Sequence, residues 1–522
     1  MLELVIDEVD LLDGTGAPPR RAAVGIGGGR IETIGEPGSL RGGQRVDGTG
    51  QVLAPGFIDL HSHADFSIEE EPAAITQLAQ GVTTLITGNC GTSPFPVTDL
   101  AALRDSSAFL RPELSWQWRD LTGYAEAIST RRPAVNLGLQ VGHGALRIAV
   151  LGYADRPATA TELARMGDLL AAAADQGAVG FSTGLIYAPG SYADAAEVQA
   201  LAAVAAEHGL LYSTHLRNET DRVLDAVDEA IETARRSGVR LEISHIKAMG
   251  PRNHGKVAGI LERIDAARAE GIDVAADVYP YTASSTTLTS RLPDWALAGG
   301  VRALLERLAD EHESARIEQA LAERFDGEID PGGIVLANLP AGAYSDQLGR
   351  SLVEIAERTG RDPAAVALDV LREHRGTVAI VNHAMAAADL ESALRHPWVS
   401  VASDGWVLSA AGDGRPHPRS FGTFARVLGH FVREQGLLPL AEAVRRMTGL
   451  PASRLGLTDR GVVAVGAVAD LVLLDPARII DRSTFDDPWQ LADGVGQVWL
   501  AGRPALGEQP ESLRGQGIVL NR

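Results

Sequence analysis

Residues that can bind metal ions stand at the ends of apolar, strand-like runs, and this arrangement constrains the fold most. From about 55 to 455, such runs alternate with amphipathic stretches rich in Ala, Leu, Arg and Glu, which is typical of parallel β/α units. The residues at run ends are His61, His63, Cys90, His215, His245 and Asp404. In a β/α barrel the carboxyl ends of all strands meet at one mouth. We therefore predict a TIM-like (β/α)8 barrel with these side chains together at its mouth.

The chemistry of these six residues favours a metal site. His61 and His63 are two positions apart, and side chains alternate faces along a strand, so both imidazoles face the same side. Cys90 is the single cysteine, which excludes an internal disulfide, and its Gly88–Gly91 turn favours a ligand over a buried core thiol. Two imidazoles and a thiolate can hold a zinc ion and leave a position for water. This pattern predicts a metallohydrolase.

Counting strands gives one more candidate than an eight-stranded barrel needs. The nine candidate strands end near Leu60, Thr87, Val141, Ser182, Thr214, Ser244, Val278, Val381 and Ser403. We expect the run Thr377–Val381 to lie outside the barrel. Residues 288–347 interrupt the alternation with a charged helical stretch and a short strand, and we predict an inserted, lid-like subdomain there.

Both ends of the chain read as β-structure. Residues 1–54 are predicted to form hairpins, and residues 456–522 to add strands at Val462–Val465, Ala469–Leu474 and Gln497–Leu500 before a C-terminal tail. Because these segments flank the barrel segment 55–455, we expect a small composite β-sandwich domain made from both termini.

Length and charge narrow the class of partner. At 522 residues the chain is long enough for one large domain and a smaller one. Its formal net charge of −21 argues against nucleic acid and anionic membrane as partners. No apolar stretch approaches the length of a membrane span and no secretory signal is evident, so a cytoplasmic location is predicted. The oligomeric state is not fixed by the sequence.

A set of motifs resembles one known family. Ala54–His63 resembles the opening of the amidohydrolase superfamily barrel, and the whole set is similar to the D-aminoacylases (N-acyl-D-amino-acid deacylases). The other motifs in the set are Gly88–Gly91, Gly184–Gly190, Thr214–Glu219, Ser244–Lys247, Asp277–Tyr281, Ser403–Gly405 and His417–Arg419. This likeness covers almost the whole chain.

The resemblance implies a function and a set of roles. It implies zinc-dependent hydrolysis of the N-acyl amide of N-acyl-D-amino acids, which gives a carboxylate and a free D-amino acid; the D-stereochemistry rests on the resemblance alone. It implies one tight zinc site on Cys90, His215 and His245, a weaker second site at His61 and His63, and proton transfer by Asp404. The substrate carboxylate would be bound by Lys247, Tyr279, Ser285 and Arg419, with Tyr187 nearby. The chain departs from the family pattern at Ser284–Ser285 and in a long loop at 405–416, both on the substrate side.

Three other interpretations stay open at this point. Gly180–Gly184 fits the Gly-x-Ser-x-Gly pattern of serine hydrolases, with Ser182 as nucleophile. A ring-opening enzyme for cyclic amides or imides would often use a carboxylated lysine on the fourth strand, and the strand ending at Ser182 has none. A non-catalytic barrel acting as a scaffold would have no need to keep the ligands. His143 and His383 also end strands, but core packing explains them equally well.

Overall fold

The computed structural model describes residues 2–108, 114–506 and 515–521. Its strands are β1 Leu2–Leu11, β2 Arg20–Gly27, β3 Arg30–Gly35, β4 Gly42–Asp47, β5 Val52–Pro55, β6 Phe57–Asp59, β7 Val82–Thr87, β8 Asn136–Gly142, β9 Gly180–Gly184, β10 Leu211–His215, β11 Arg240–Ile243, β12 Val274–Val278, β13 Ala283–Thr287, β14 Ile334–Asn338, β15 Ala379–His383, β16 Val399–Val401, β17 Leu471–Leu474, β18 Val495–Leu500 and β19 Arg503–Leu506.

Helices follow most of the barrel strands. They are α1 Ile75–Leu78, α2 Leu100–Ser107, α3 Leu121–Arg131, α4 His143–Leu151, α5 Ala160–Asp175, α6 Ala195–Glu207, α7 Val223–Ser237, α8 Lys256–Ala269, α9 Gly300–Ala309, α10 Glu311–Phe325, α11 Leu352–Thr359, α12 Pro363–Glu373, α13 Ala387–Arg395, α14 Arg419–Arg426, α15 Leu440–Met447 and α16 Gly449–Leu455, with a π-helical segment at Val427–Glu434 after α14. None of the helices in the described ranges combines the length and apolar composition needed to cross a bilayer.

Eight parallel strands form the barrel, as predicted. Their order is β6, β7, β8, β9, β10, β11, β12 and β16, so the chain winds around in sequence and leaves out β13 to β15. The strands are buried along nearly their whole length, because helices cover the outside of a parallel barrel and side chains fill its inside. The barrel closes beyond β16 and β6, where Asp404 N donates to His61 O at 2.8 Å and His63 N to Gly405 O at 2.8 Å.

The ninth candidate strand lies outside the barrel, which confirms the expectation for Thr377–Val381. It forms β15, which pairs antiparallel with both β13 and β14 in a separate three-stranded sheet. This sheet packs on helices α9 to α12 around its own hydrophobic core, which runs from Leu288 to Ile380. The structure therefore extends the inserted unit to residues 283–383, on both sides of the predicted 288–347, and we call residues 283–383 the insertion.

Strands from both termini share one mixed sheet, as expected for a composite domain. Its order is β19, β18, β17, β5, β1, β2 and β3, with β4 pairing β1 beside β5. The prediction of a strand at Val462–Val465 is wrong. Gly461 and Gly466 adopt left-handed backbone on either side of it, and Val463 N donates to Asp13 O instead of joining a ladder. The domain boundaries at 54 and 455 stay predictions.

Candidate metal centre

Every predicted site residue except His61 lines one cavity of about 160 Å³ at the barrel mouth. His61 is fully buried directly behind it. The metal-binding candidates stand where expected: His215 ends β10, while His61, Cys90, His245 and Asp404 each follow their strand by two or three residues. The barrel therefore brings together side chains that are more than 340 positions apart in sequence.

Three of these residues have an unusual backbone. Cys90, His245 and Asp404 have φ angles of 53°, 35° and 50°, in the left-handed region that non-glycine residues rarely adopt. Such conformations cost about 1–3 kcal/mol each and cluster at functional sites, where surrounding contacts hold them. All three turns lie at the barrel mouth, directly after a barrel strand.

Cys90 lies at the centre of a first cluster. Its Sγ is 3.3 Å from His61 Nε2 and 3.5 Å from His245 Nε2. Asp404 Oδ1 lies 3.4 Å from His61 Nε2 and 3.1 Å from His63 Nε2. Possible ligand atoms of His61, Cys90, His245 and Asp404 all fall within 4.8 Å of one another, which is close enough for one ion to contact them.

Glu219 is a member of a second cluster that sequence reasoning missed. Its Oε2 lies 3.3 Å from His215 Nε2, and its Oε1 lies 3.3 Å from His245 Nδ1 and accepts a hydrogen bond from Lys247 Nζ. The carboxylate is buried in the loop after β10. Its place in the Thr214–Glu219 motif, four residues after His215, was the available signal.

Asp277 was also missed, and it joins two of the histidines. Its Oδ1 accepts a hydrogen bond from His245 N at 2.7 Å, and its Oδ2 lies 3.3 Å from His61 Nδ1. A carboxylate behind a metal-binding histidine fixes the orientation of the ring. Asp277 opens the Asp277–Tyr281 motif, but nothing in its strand distinguishes it from an ordinary polar residue.

The surroundings of Cys90 and His245 shift the pKa values of both groups downward. Burial alone would raise the pKa of the Cys90 thiol, but the charge of His61 and the neighbouring His215 and His61 rings outweigh it, and the pKa lies well below the usual value. Burial, reinforced by Lys247 and His215, lowers the pKa of His245 to about 3. A thiolate and a neutral imidazole are the forms that bind metal.

Arg419 contacts Asp404 directly. Arg419 Nη1 donates to Asp404 Oδ2 at 2.7 Å, and Nη2 donates to the Ser285 carbonyl at 3.2 Å. Burial opposes ionisation of Asp404, but Arg419 and His61 outweigh it and hold the pKa of that carboxyl well below its usual range. The structure therefore presents Asp404 as an ionised carboxylate.

The remaining predicted substrate residues surround the same space. Lys247 Nζ lies 2.7 Å from His245 Nδ1 and 5.9 Å from the Tyr279 ring centroid. The Tyr279 hydroxyl is buried without a hydrogen-bond partner in the described part of the chain. Tyr187 Oη lies 3.0 Å from Thr286 Oγ1, and its ring meets that of His215 edge-on. Their roles stay predictions.

Arg291 is a further cationic residue of the cavity that the sequence did not single out. Its side chain is buried, and within the described residues its guanidinium donates only to the neighbouring Ser290 Oγ, at 3.0 and 3.1 Å. No carboxylate of the described ranges forms an ion pair with it. A buried guanidinium without an anion is costly, so this arrangement suits an anionic ligand.

The donor set fits zinc. His215 Nδ1 and Nε2 are both buried and have no hydrogen-bond partner among the described residues, although polar groups normally do not stay unpaired in a protein interior. Cys90 and His245 offer a soft sulfur and a second imidazole beside it. Sulfur and nitrogen ligands of this kind are those that zinc prefers.

Comparison with known proteins agrees with this geometry. Residues 44–506 match the model of the amidohydrolase family. The chain is 38% identical to an N-acyl-D-glutamate deacylase of Alcaligenes xylosoxydans xylosoxydans, over 100% of this chain and 97% of the relative. It is 35% identical to a D-aminoacylase of the same organism, over 100% and 98%.

A solved structure shows the same likeness in three dimensions. The N-acyl-D-glutamate deacylase of Bordetella bronchiseptica, complexed with zinc and a phosphonate inhibitor that mimics the tetrahedral intermediate, superposes with a TM-score of 0.86. It is 36% identical to this chain, and the match covers 100% of both chains.

Proposed function

We propose that this protein hydrolyses the N-acyl amide bond of N-acyl-D-amino acids with the help of zinc, because the chain belongs to the amidohydrolase family and to its D-aminoacylase group. The products are a carboxylate and a free D-amino acid. The observation that carries this proposal is the convergence of Cys90, His215, His245 and Asp404 on one cavity. The same cavity holds the unpaired Tyr279 hydroxyl and the Arg291 guanidinium, which pairs with no carboxylate of the described residues.

Cys90, His215 and His245 would hold the tight zinc ion, and His61 and His63 a weaker second one. Bound zinc would supply a Lewis acid for the amide carbonyl and lower the pKa of a bound water from about 15.7 to about 7. His61 and His63 both lie next to Asp404 Oδ1, so a second ion there would compete with the transferred proton for that oxygen. The number of ions in the working enzyme belongs to this proposal.

Asp404 is the proton-transfer residue of the proposed reaction. Because Arg419 keeps it ionised, Asp404 Oδ1 accepts a proton from the attacking water and then delivers it to the nitrogen of the leaving amine. Positioned proton transfer of this kind typically contributes 10²–10⁴-fold to the rate. The backbone at Asp404 is held by the bond to His61 O that closes the barrel, so the carboxylate is fixed relative to the metal site.

The α-carboxylate of the substrate is the ligand we assign to Lys247, Tyr279, Ser285 and Arg419. The buried, unpaired Tyr279 hydroxyl supports this assignment, since a substrate oxygen would satisfy it. Arg419 reaches both Asp404 and the Ser285 backbone, so it connects the reacting end of the cavity with the carboxylate end. Tyr187 would close the cavity beside His215.

Arg291 supports a preference for substrates whose amino-acid side chain is acidic. Its guanidinium lines the cavity without a protein carboxylate, and the relative named above that acts on N-acyl-D-glutamate agrees with an anionic side chain. The D-configuration is carried over from the relatives. The cytoplasmic location and the small-molecule partner are part of the same proposal.

Release of free amino acids tests the proposal. Purified protein is incubated with the N-acetyl derivatives of D-glutamate, D-leucine and L-glutamate, before and after removal of metal by a chelator. We expect release from the D-substrates, fastest from D-glutamate, which stops on chelation and returns with zinc. Release that resists chelation would overturn the zinc mechanism. Equal release from L-glutamate would overturn the stereochemistry.

A further inference from the structure

The Gly-x-Ser-x-Gly motif at Gly180–Gly184 has no part in the proposed reaction, yet it lies against the metal centre. It occupies the whole of β9, the fourth barrel strand. Gly180, Ser182 and Gly184 alternate with Phe181 and Thr183, so the three share one face of the strand. Phe181 faces the other way and stacks on Tyr212.

Ser182 forms hydrogen bonds with the residues on both sides of Cys90 in the sequence. Its Oγ accepts a hydrogen bond from Gly91 N at 3.0 Å and donates one to the Gly88 carbonyl. The side chain is fully buried. One hydroxyl thus joins the residue two before Cys90 to the residue directly after it, and it is already engaged as a donor and as an acceptor.

The two outer glycines of the motif let β9 pack closely against the turn that holds Cys90. A Cβ atom at Gly184 would collide with the Cys90 carbonyl, so only glycine lets β9 approach this closely. A Cβ atom at Gly180 would collide with the side chain of Gln140. Gln140 Nε2 in turn donates to Asn89 Oδ1 at 2.9 Å, which holds the residue next to Cys90.

We infer that Gly180–Gly184 is a positioning element that fixes Cys90 as a zinc ligand, with Ser182 as its central residue. The left-handed backbone at Cys90 needs such support, because it is unfavourable for a residue with a side chain. Residues behind metal ligands typically change metal affinity by 10–100-fold when they are removed. The inference rests on the proposed role of Cys90, and it gives Ser182 a role other than that of a nucleophile.

Zinc protection of Cys90 from alkylation tests the inference without using activity. Cys90 is the only cysteine of the chain, so modification by N-ethylmaleimide, followed by mass spectrometry, reports on this thiol alone. Metal-free wild-type protein, Ser182→Ala and the matched control Ser400→Ala are titrated with zinc under chelator buffering. Ser400 is a buried serine of barrel strand β16 whose hydroxyl has no hydrogen-bond partner in the described part of the chain.

We expect Ser182→Ala to need roughly 10-fold or more zinc for half-protection, and Ser400→Ala to match the wild type. With cobalt in place of zinc, the thiolate-to-metal charge-transfer band should weaken in Ser182→Ala alone. At saturating zinc this variant should still hydrolyse substrate, which a lost nucleophile would not allow. Unchanged protection and an unchanged band would overturn the inference, as would a zinc-loaded variant without activity.

Failure of zinc to protect Cys90 in the wild type would instead overturn the proposed function. If Ser182→Ala does not yield folded protein, Gln140→Leu takes its place, since it removes the bond to Asn89 at similar volume. The same weakened protection is then required, and its absence overturns the inference.

Discussion

The barrel mouth and the insertion face the same cavity, but they hold their side chains in different ways. At the mouth, Cys90, His245 and Asp404 stand on short left-handed turns tied to neighbouring strands by buried hydrogen bonds. The insertion presents Ser285 and Arg291 from β13 and the turn after it, supported by a hydrophobic core separate from that of the barrel. The groups proposed for bond breaking and the two insertion residues proposed for substrate binding are thus supported by different packing units.

Several hydrogen bonds join the two regions. Arg419 Nη2 donates to the Ser285 carbonyl, and His417 Nε2 lies 2.9 Å from the Ala283 carbonyl. Tyr187 Oη lies 3.0 Å from Thr286 Oγ1, and the Tyr192 hydroxyl donates to the Asp294 carbonyl. None of these bonds involves Cys90, His215 or His245, so we expect the insertion to change with little movement of these residues. Substitutions there should alter which substrate is used, while those at the mouth should alter whether any is used.

Asp404→Asn should have the largest effect. We expect kcat to fall by about 10²–10⁴-fold on every substrate, because the amide cannot transfer the proton. Zinc content should stay at the wild-type level, since Cys90, His215 and His245 remain. Steady-state kinetics and metal analysis measure both, with Asp346→Asn on the insertion surface as the control. Substantial turnover by Asp404→Asn would remove this residue from the mechanism.

Leu336→Ala tests whether the insertion is supported separately. Leu336 is fully buried in the core of the insertion, and such truncations cost about 2–5 kcal/mol. We expect kcat/KM to fall and protease cleavage within residues 283–383 to increase, while zinc affinity stays unchanged. Leu241→Ala, in the barrel core, should weaken zinc binding as well. Equal loss of zinc affinity in both variants would contradict the separation of the two regions.

Arg291→Met should change selectivity more than rate. A hydrogen bond to a charged group is worth about 1.5–3 kcal/mol, or roughly 10- to 100-fold in kcat/KM. We expect a loss of this size on N-acetyl-D-glutamate and little change on N-acetyl-D-leucine. Arg375→Met provides a matched control, since Arg375 also borders the cavity but is exposed. An equal loss on both substrates would show that Arg291 does not bind the side chain.

Much of the fold could be predicted because parallel strands carry long apolar runs with polar residues at their ends. The exceptions have physical reasons. The strand β13 consists of Ala283 followed by Ser and Thr residues. This composition predicts a loop, so the sequence did not show where the insertion begins. The strand β4 is almost entirely exposed and begins with two glycines, and only its pairing with β1 makes it a strand.

The residues of the candidate site could also be predicted only in part. His61, Cys90 and Asp404 could be placed because strand ends converge and their side chains have few other reasons to stand there. Glu219 and Arg291 could not, because charged residues in loops are common and only the folded chain shows that both are buried beside the cavity. Burial of a charge depends on long-range packing, which sequence spacing does not reveal.

The smallest predicted effect compares two equivalent helix caps. Thr159 at the start of α5 on the barrel and Ser351 at the start of α11 in the insertion each form a capping box with a glutamate three residues on. Substitution of either by Ala should lower the free energy of unfolding by about 0.5–2 kcal/mol. Because only α11 packs in the core of the insertion, Ser351→Ala should also raise KM for N-acetyl-D-glutamate, whereas Thr159→Ala should leave KM unchanged. Denaturant unfolding and steady-state kinetics on both variants measure these effects, and a KM that shifts equally in the two would show that the barrel and the insertion respond as one unit.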